Sequence, residues 1–172
     1  MNEQQTVWAL MLKLYEANGV QPVCLQLQDE YGVGVSALLS VMILGYLGEP
    51  PLSQVTTEQT LKRAAHWQQT VIEPLRAVRR RLREVTPADQ AEAAESLRKS
   101  LLSQEIAAEK IQQALICCDL PLGRSRIEIR SQCLANASSN ASMYFSYIGQ
   151  SDANKKAAEP LLQRLIEALA RL

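Results

Sequence analysis

Val35 to Leu47 reads VSALLSVMILGYL, and ten of these thirteen residues are apolar. Drawn as a helix, the segment presents apolar side chains on every face, which is the pattern of a helix wrapped by other helices. It is too short to cross a bilayer. It carries no ionisable side chain, so it predicts architecture and leaves the chemistry to its flanks.

Upstream, Val7, Leu10, Met11, Leu14 and Tyr15 recur at three and four between Thr6 and Ala17, forming one face of an amphipathic helix closed by Asn18-Gly19. Pro22 suits the first turn of a second helix that buries Val20, Val23, Cys24 and Leu27. Downstream, Gly48-Glu49-Pro50-Pro51 stops the central helix. The next helix, capped by Thr56 or Thr57, runs to about Val85 with Ala64, Trp67, Val71, Leu75, Val78 and Leu82 on one stripe. Pro74 predicts a kink or short break between Thr70 and Glu73. Thr86-Pro87-Ala88-Asp89 opens a long helix whose stripe (Ala94, Leu97, Leu101, Ala108, Ile111, Leu115, Cys118) is nearly heptad, with Gln104 in one place. These two helices are expected to form an antiparallel hairpin.

Beyond Pro121-Leu122-Gly123, the capping box Ser125-Arg126-Ile127-Glu128 starts a helix with Ile127, Leu134, Ala137, Ala141, Tyr144 and Ile148 on one side, set among small residues that permit close approach. A last helix begins at Asp152, and Pro160 is predicted to disturb its first two turns. The expectation is an all-α, single-domain bundle over residues 1–172, with about six or seven helices. Residues 35–47 would be surrounded by the first helix, the kinked basic helix and the two C-terminal helices.

A chain of 172 residues can bury one substantial core. Its 18 basic and 18 acidic side chains cancel, so no global field draws it to nucleic acid or membrane. Four cysteines without CxxC spacing read as reduced thiols of a cytoplasmic protein. The opening MNEQQT has no signal-peptide character. Asn136-Ala-Ser138 and Asn140-Ala-Ser142 match the glycosylation tripeptide by chance in that compartment. His66 is the sole histidine, and no phosphate loop, HExxH or GxSxG is present. Neither a metal nor a cofactor is expected, and catalysis is disfavoured.

Trp8-Ala9-Leu10, Leu14-Tyr15, Gly19-Val20, Cys24-Leu25-Gln26-Leu27-Gln28-Asp29, Gly32 and Leu38-Leu39, with Trp67 and Pro74-Leu75-Arg76-Ala77-Val78-Arg79-Arg80 further on, form a combined pattern. It resembles a proteobacterial family of short cytosolic helical proteins catalogued as a domain of unknown function. The likeness covers about the first 85 residues well, and its specificity comes from CLxLQD together with PLRxxRR. The family favours Asn where this chain has Ser36, and a Trp near Gly45 and Tyr46. The resemblance implies a helical bacterial protein and supplies no catalytic residues.

Two readings of function follow. Residues 58–84 hold seven basic and three acidic side chains, for +4, whereas residues 1–50 hold one basic and five acidic, for −4. The first reading is a non-enzymatic adaptor that docks on an acidic protein partner through Arg79, Arg80, Arg81 and Arg83. Nucleic acid is disfavoured because no aromatic side chains interleave the run. The second is a small-molecule-binding protein, or an enzyme, with a polar pocket between the second and kinked helices lined by Trp8, Gln28, Asp29, Trp67 and Arg76. In it Asp29 would point inward and pair with Arg76 or Arg80, since a buried carboxylate without a partner costs several kcal/mol.

Overall fold

The computed structural model describes residues 3–118 and 128–172. Among them lie eight α-helices: α1 (Glu3–Tyr15), α2 (Val20–Tyr31), α3 (Val35–Tyr46), α4 (Gln54–Trp67), α5 (Glu73–Val85), α6 (Ala91–Cys117), α7 (Arg130–Tyr147) and α8 (Asp152–Ala170). A π-helical stretch, Gln68–Ile72, joins α4 to α5 in one rod, and a 3-10 turn, Ala88–Gln90, leads into α6. The described residues contain no strand. The fold is an all-α bundle.

The central helix forms where the apolar run predicts it. Every residue of α3 from Ser36 to Gly45 is buried, and each fully buried Leu or Ile contributes about 1.5–3 kcal/mol relative to exposure. Its two buried serines have partners: Ser40 Oγ donates to the Ser36 carbonyl at 2.7 Å and lies 3.6 Å from Met11 Sδ, and Ser36 Oγ lies 4.0 Å from the same sulfur. Gly48, at φ +86°, ends the helix, and the Glu49 amide donates to the Leu44 carbonyl at 3.1 Å. Pro50 and Pro51 follow.

The most extensive packing in the molecule is α3 on α7. A Cβ on Gly45 would sit 2.4 Å from the Ala137 backbone nitrogen and 2.5 Å from the Asn136 carbonyl carbon, so only glycine admits this approach. The small residues of α7, Ala137 and Ala141, are buried as their pattern predicts. Two buried asparagines fasten the helices. Asn140 Nδ2 donates to the Val41 carbonyl at 2.9 Å while its Oδ1 accepts from the Leu52 amide at 2.8 Å, and Asn136 Nδ2 donates to the Glu49 carbonyl at 2.9 Å. The asparagines of the glycosylation-like tripeptides are therefore interior fastenings.

The other neighbours of α3 are α1, α6 and α2. The expected neighbours α5 and α8 pack chiefly elsewhere, α5 on α6, and α8 on α7 and α2. Helix α5 buries no residue at all, and Val78 is 52% exposed. The α6 stripe is also turned from its expected face. Leu97 and Ile111 are about half exposed and Cys118 is exposed, while Glu105, Ala108, Gln112, Gln113, Ile116 and Cys117 are buried. A heptad of aliphatic residues lost to polar side chains that have partners in α4 and α5.

Local signals fared unevenly. Ser53, not Thr56 or Thr57, caps α4, accepting from the Thr56 amide at 3.1 Å. Pro74 lies in the first turn of α5, and the missing hydrogen bond is absorbed by the π-helical stretch, where the Glu73 amide reaches back to the Gln68 carbonyl. Thr86 turns its hydroxyl back to the Leu82 carbonyl and does not cap α6. α8 is one helix straight through Pro160, with Ser151 capping it through the Asn154 amide at 3.2 Å. The Pro121-Leu122-Gly123 turn and all but the last residue of the Ser125 capping box lie outside the described residues.

The α4–α5 rod and α6 run antiparallel, as expected: Gln112 meets Ala64, the Trp67 indole donates to the Ala108 carbonyl at 2.9 Å, and Arg79 meets Glu105. No single helix among the described residues is long and apolar enough to cross a membrane.

Candidate functional site

Because α5 leans on α6 and buries nothing against α2, a cleft opens between α2 and α5. It comprises two cavities of about 470 Å³ and 420 Å³ that share three residues, Gln28, Arg76 and Arg80. Both volumes fall in the range of small-molecule sites. The larger is mixed, lined by Gln68, Gln69, Gln112, Tyr144 and the carboxylate of Glu73 as well as by Val33, Leu61 and Ile148 beside the shared residues. The smaller carries an apolar rim of Trp8, Leu12, Leu25, Leu102 and Ile106.

The arginine run is divided by this geometry. Arg79 grips Glu105 with two bonds, Nε to Oε1 at 2.5 Å and Nη2 to Oε2 at 3.1 Å. Arg76 bonds Glu109 through Nη2 and holds its Nε 3.9 Å from Glu105 Oε2. The Glu105 side chain is only 4% exposed, and a carboxylate buried to that degree requires such partners. Arg81 pairs with Glu84 on the surface at 2.7 Å, a contact of little energetic weight. Arg80 is exposed, stands at the junction of the two cavities, and makes no ion pair with a described residue. Arg83 is exposed and lines neither cavity.

Of the five residues expected to line a pocket, Trp8, Gln28 and Arg76 meet in the apolar-rimmed cavity. Asp29 is exposed on α2 and lines neither cavity. The expected ion pair with Arg76 is taken by Glu109 and Glu105, because those carboxylates lie on the helix that α5 packs against. Trp67 lines neither cavity and is committed to the Ala108 carbonyl. Of the four arginines of the docking run, Arg79 is turned inward at 20% side-chain exposure. His66 is exposed, and its carbonyl accepts from Thr70.

Sequence reading missed Glu105, Glu109 and Gln112. Their signal was spacing: at i, i+4 and i+7 they form a polar stripe one position away from the aliphatic one. Gln112 is 2% exposed and its Nε2 donates to both the Ala64 carbonyl and Gln68 Oε1, each at 3.0 Å. The Ala64 carbonyl fixes the amide's orientation, since a flipped amide would set oxygen against oxygen. Gln112 Oε1 is left as the one buried side-chain polar atom among the described residues without a hydrogen-bond partner.

Burial governs the ionisation of the groups around the cleft. The Cys24 thiol, in the wall of the smaller cavity, is pushed up to about 12 by desolvation. The Tyr144 phenol is also pushed up to about 12 by burial, against the Gly34 backbone, whose amide donates to its oxygen at 2.9 Å. Tyr15 is raised by burial too, with Cys24 and Glu109 adding to it. These groups stay protonated near neutral pH and offer neither a nucleophile nor a base. The buried Cys117 thiol, at about 11, is likewise inert, whereas Cys118 is exposed beside Arg63, Nη1 to Sγ at 3.5 Å.

No curated protein and no solved structure matches the chain. A family model matches residues 6–116, extending beyond the first 85 residues over nearly all of α6, so that α2 and α5 lie within it while Tyr144 of the larger cavity lies outside. The chain therefore belongs to the family described as Protein of unknown function (DUF2390).

Proposed function

We propose that this protein binds a small organic anion in the cleft between α2 and α5, with Arg80 as the anchoring cation and Gln28 and Arg76 beside it. The observation that carries this reading is the contrast within one helix. Arg76 and Arg79 have their charge met by Glu105 and Glu109, while Arg80 stands with its charge unmet where two cavities join. A guanidinium in that setting recognises carboxylate or phosphate through paired hydrogen bonds. The reading of α5 as a docking face for an acidic protein is less favoured, because Arg79 is engaged inward and Arg81 is paired locally.

Thermal melts in the presence of glycerol 3-phosphate and of succinate test the proposal. Ligand at a hundredfold excess over its Kd stabilises by about 2.7 kcal/mol. The expected result is a saturable rise in Tm with at least one anion that Arg80→Ala removes. The proposal fails if neither anion raises Tm, or if Arg80→Ala responds as the wild type does.

A further inference from the structure

The two cavities that meet at Arg80 differ in chemistry, and two oddities lie in them. In the wall of the larger cavity, Gln112 keeps a buried Oε1 that is held in place and has no hydrogen-bond partner among the described residues. An unmet buried acceptor is costly, so a small shift of the Gln112 side chain that brings Oε1 to a donor in the cavity is favoured. In the other cavity, Leu12, Leu25, Leu102 and Ile106 are each 39–51% exposed, and they come from three different helices converging on one groove. Aliphatic side chains exposed singly need no explanation, but a rim assembled from three elements around a cavity marks a binding surface. The charged floor below that rim is neutralised within itself by the Arg79–Glu105 and Arg76–Glu109 pairs.

We infer that the ligand is a single-chain anionic amphiphile, whose head group lies in the larger cavity with its anion on Arg80 and an O–H or N–H donor toward Gln112, and whose hydrocarbon chain lies along the Leu12, Leu25, Leu102 and Ile106 groove. This rests on the anion-binding reading above and adds the chain and the donor to it. One molecule of this kind accounts for the shared Gln28, Arg76 and Arg80 ridge between the cavities, which a purely polar or purely apolar ligand leaves half used.

The test is a titration followed by the fluorescence of Trp8, which lines the groove, below the micelle concentration of each probe. The probes are glycerol 3-phosphate, its hexanoyl and dodecanoyl monoesters, uncharged dodecanoylglycerol, and dodecyl phosphate, which lacks the glycerol hydroxyl. At pH 8 the phosphate monoester is a dianion with no donor of its own. Each methylene buried strengthens binding by up to about fourfold. The expected order is dodecanoyl ester tightest, hexanoyl ester weaker by more than tenfold, and glycerol 3-phosphate weakest. Dodecyl phosphate should bind more weakly than the dodecanoyl ester. Leu12→Gln/Leu25→Gln, at two exposed positions that leave folding intact, should abolish the chain-length increment without changing glycerol 3-phosphate binding. If glycerol 3-phosphate binds as tightly as its acyl esters, the amphiphile inference is overturned and the anion reading stands. If dodecanoylglycerol binds as tightly as the charged ester, and Arg80→Ala matches the wild type, the anion reading falls with it. If dodecyl phosphate equals the dodecanoyl ester, the donor assigned to Gln112 is wrong.

Discussion

α3 against α7 and α5 against α6 are both helix pairs, yet they are held by opposite means. The first pair meets at a glycine with no room for one methyl group, is fastened by asparagine side chains, and buries ten consecutive residues of α3. The second leaves no residue of α5 fully buried and is held by arginine–glutamate pairs. Apolar burial over many residues yields a contact that excludes everything else. Helix α5 packs closely on α6 along one side and makes no comparable contact with α2, and that one-sidedness is what leaves a cleft beside α5. The stability of the molecule belongs to the first pair and the opportunity for binding to the second.

Four experiments would break or sharpen that contrast. The largest effect is expected from alkaline pH. Cys24 and Tyr144 are pushed up to about 12 and Cys117 to about 11 in the folded protein, against ordinary values of 9.0 for the thiols and 10.0 for the phenol. Above about pH 9 the unfolded chain releases protons that the folded protein retains, so stability is full below that pH and falls as pH rises toward 12. Each group contributes about 1.4 kcal/mol per pH unit while it lags. Urea denaturation from pH 8 to pH 11 should show the midpoint dropping steadily, and a flat profile would show that these groups are not buried.

Next is Gly45→Ala, expected to cost about 3 kcal/mol because the new methyl meets backbone and not a flexible side chain. A cost below about 1 kcal/mol would mean that α3 and α7 are farther apart than described. Arg79→Leu should cost about 2–3 kcal/mol by stranding Glu105, and adding Glu105→Leu should recover most of it. If the double variant is no better than the single, the pair is not what holds α5. The smallest effect concerns reagent access: Cys118 should react promptly with a thiol reagent in the native protein while Cys24, Cys117 and Cys133 react only on unfolding.

How far the sequence could be read follows the same division. α3 was visible in full because an all-round apolar run admits one arrangement, and the close approach of α7 was visible in its alanines and serines. The α5–α6 contact was misread because Leu97, Ile111 and Val78 make a convincing aliphatic stripe, and only the three-dimensional pairing of Arg76 and Arg79 with Glu105 and Glu109 rotates it outward. The cleft was anticipated from Trp8, Gln28 and Arg76, but Asp29 and Trp67 were assigned to it on sequence adjacency, which does not specify the side of a helix a residue occupies. Asn136 and Asn140 were passed over because a glycosylation-like tripeptide and an interior hydrogen-bonding asparagine look the same in one dimension. Gln112 shared the polar stripe of Glu105 and Glu109, but its unmet acceptor had no counterpart in the sequence, since such an acceptor exists only once its neighbours are placed.

The central claim is that the cleft beside α5 binds an anion through Arg80. Calorimetric titration of glycerol 3-phosphate into the wild type, Arg80→Ala and Arg83→Ala tests it most directly, because both arginines are exposed on one helix and only Arg80 lines the cavities. The account predicts saturable binding that Arg80→Ala weakens tenfold or more, in keeping with a charged hydrogen bond worth about 1.5–3 kcal/mol, and that Arg83→Ala leaves unchanged. Equal losses in the two variants, or no saturable heat in the wild type, would contradict it.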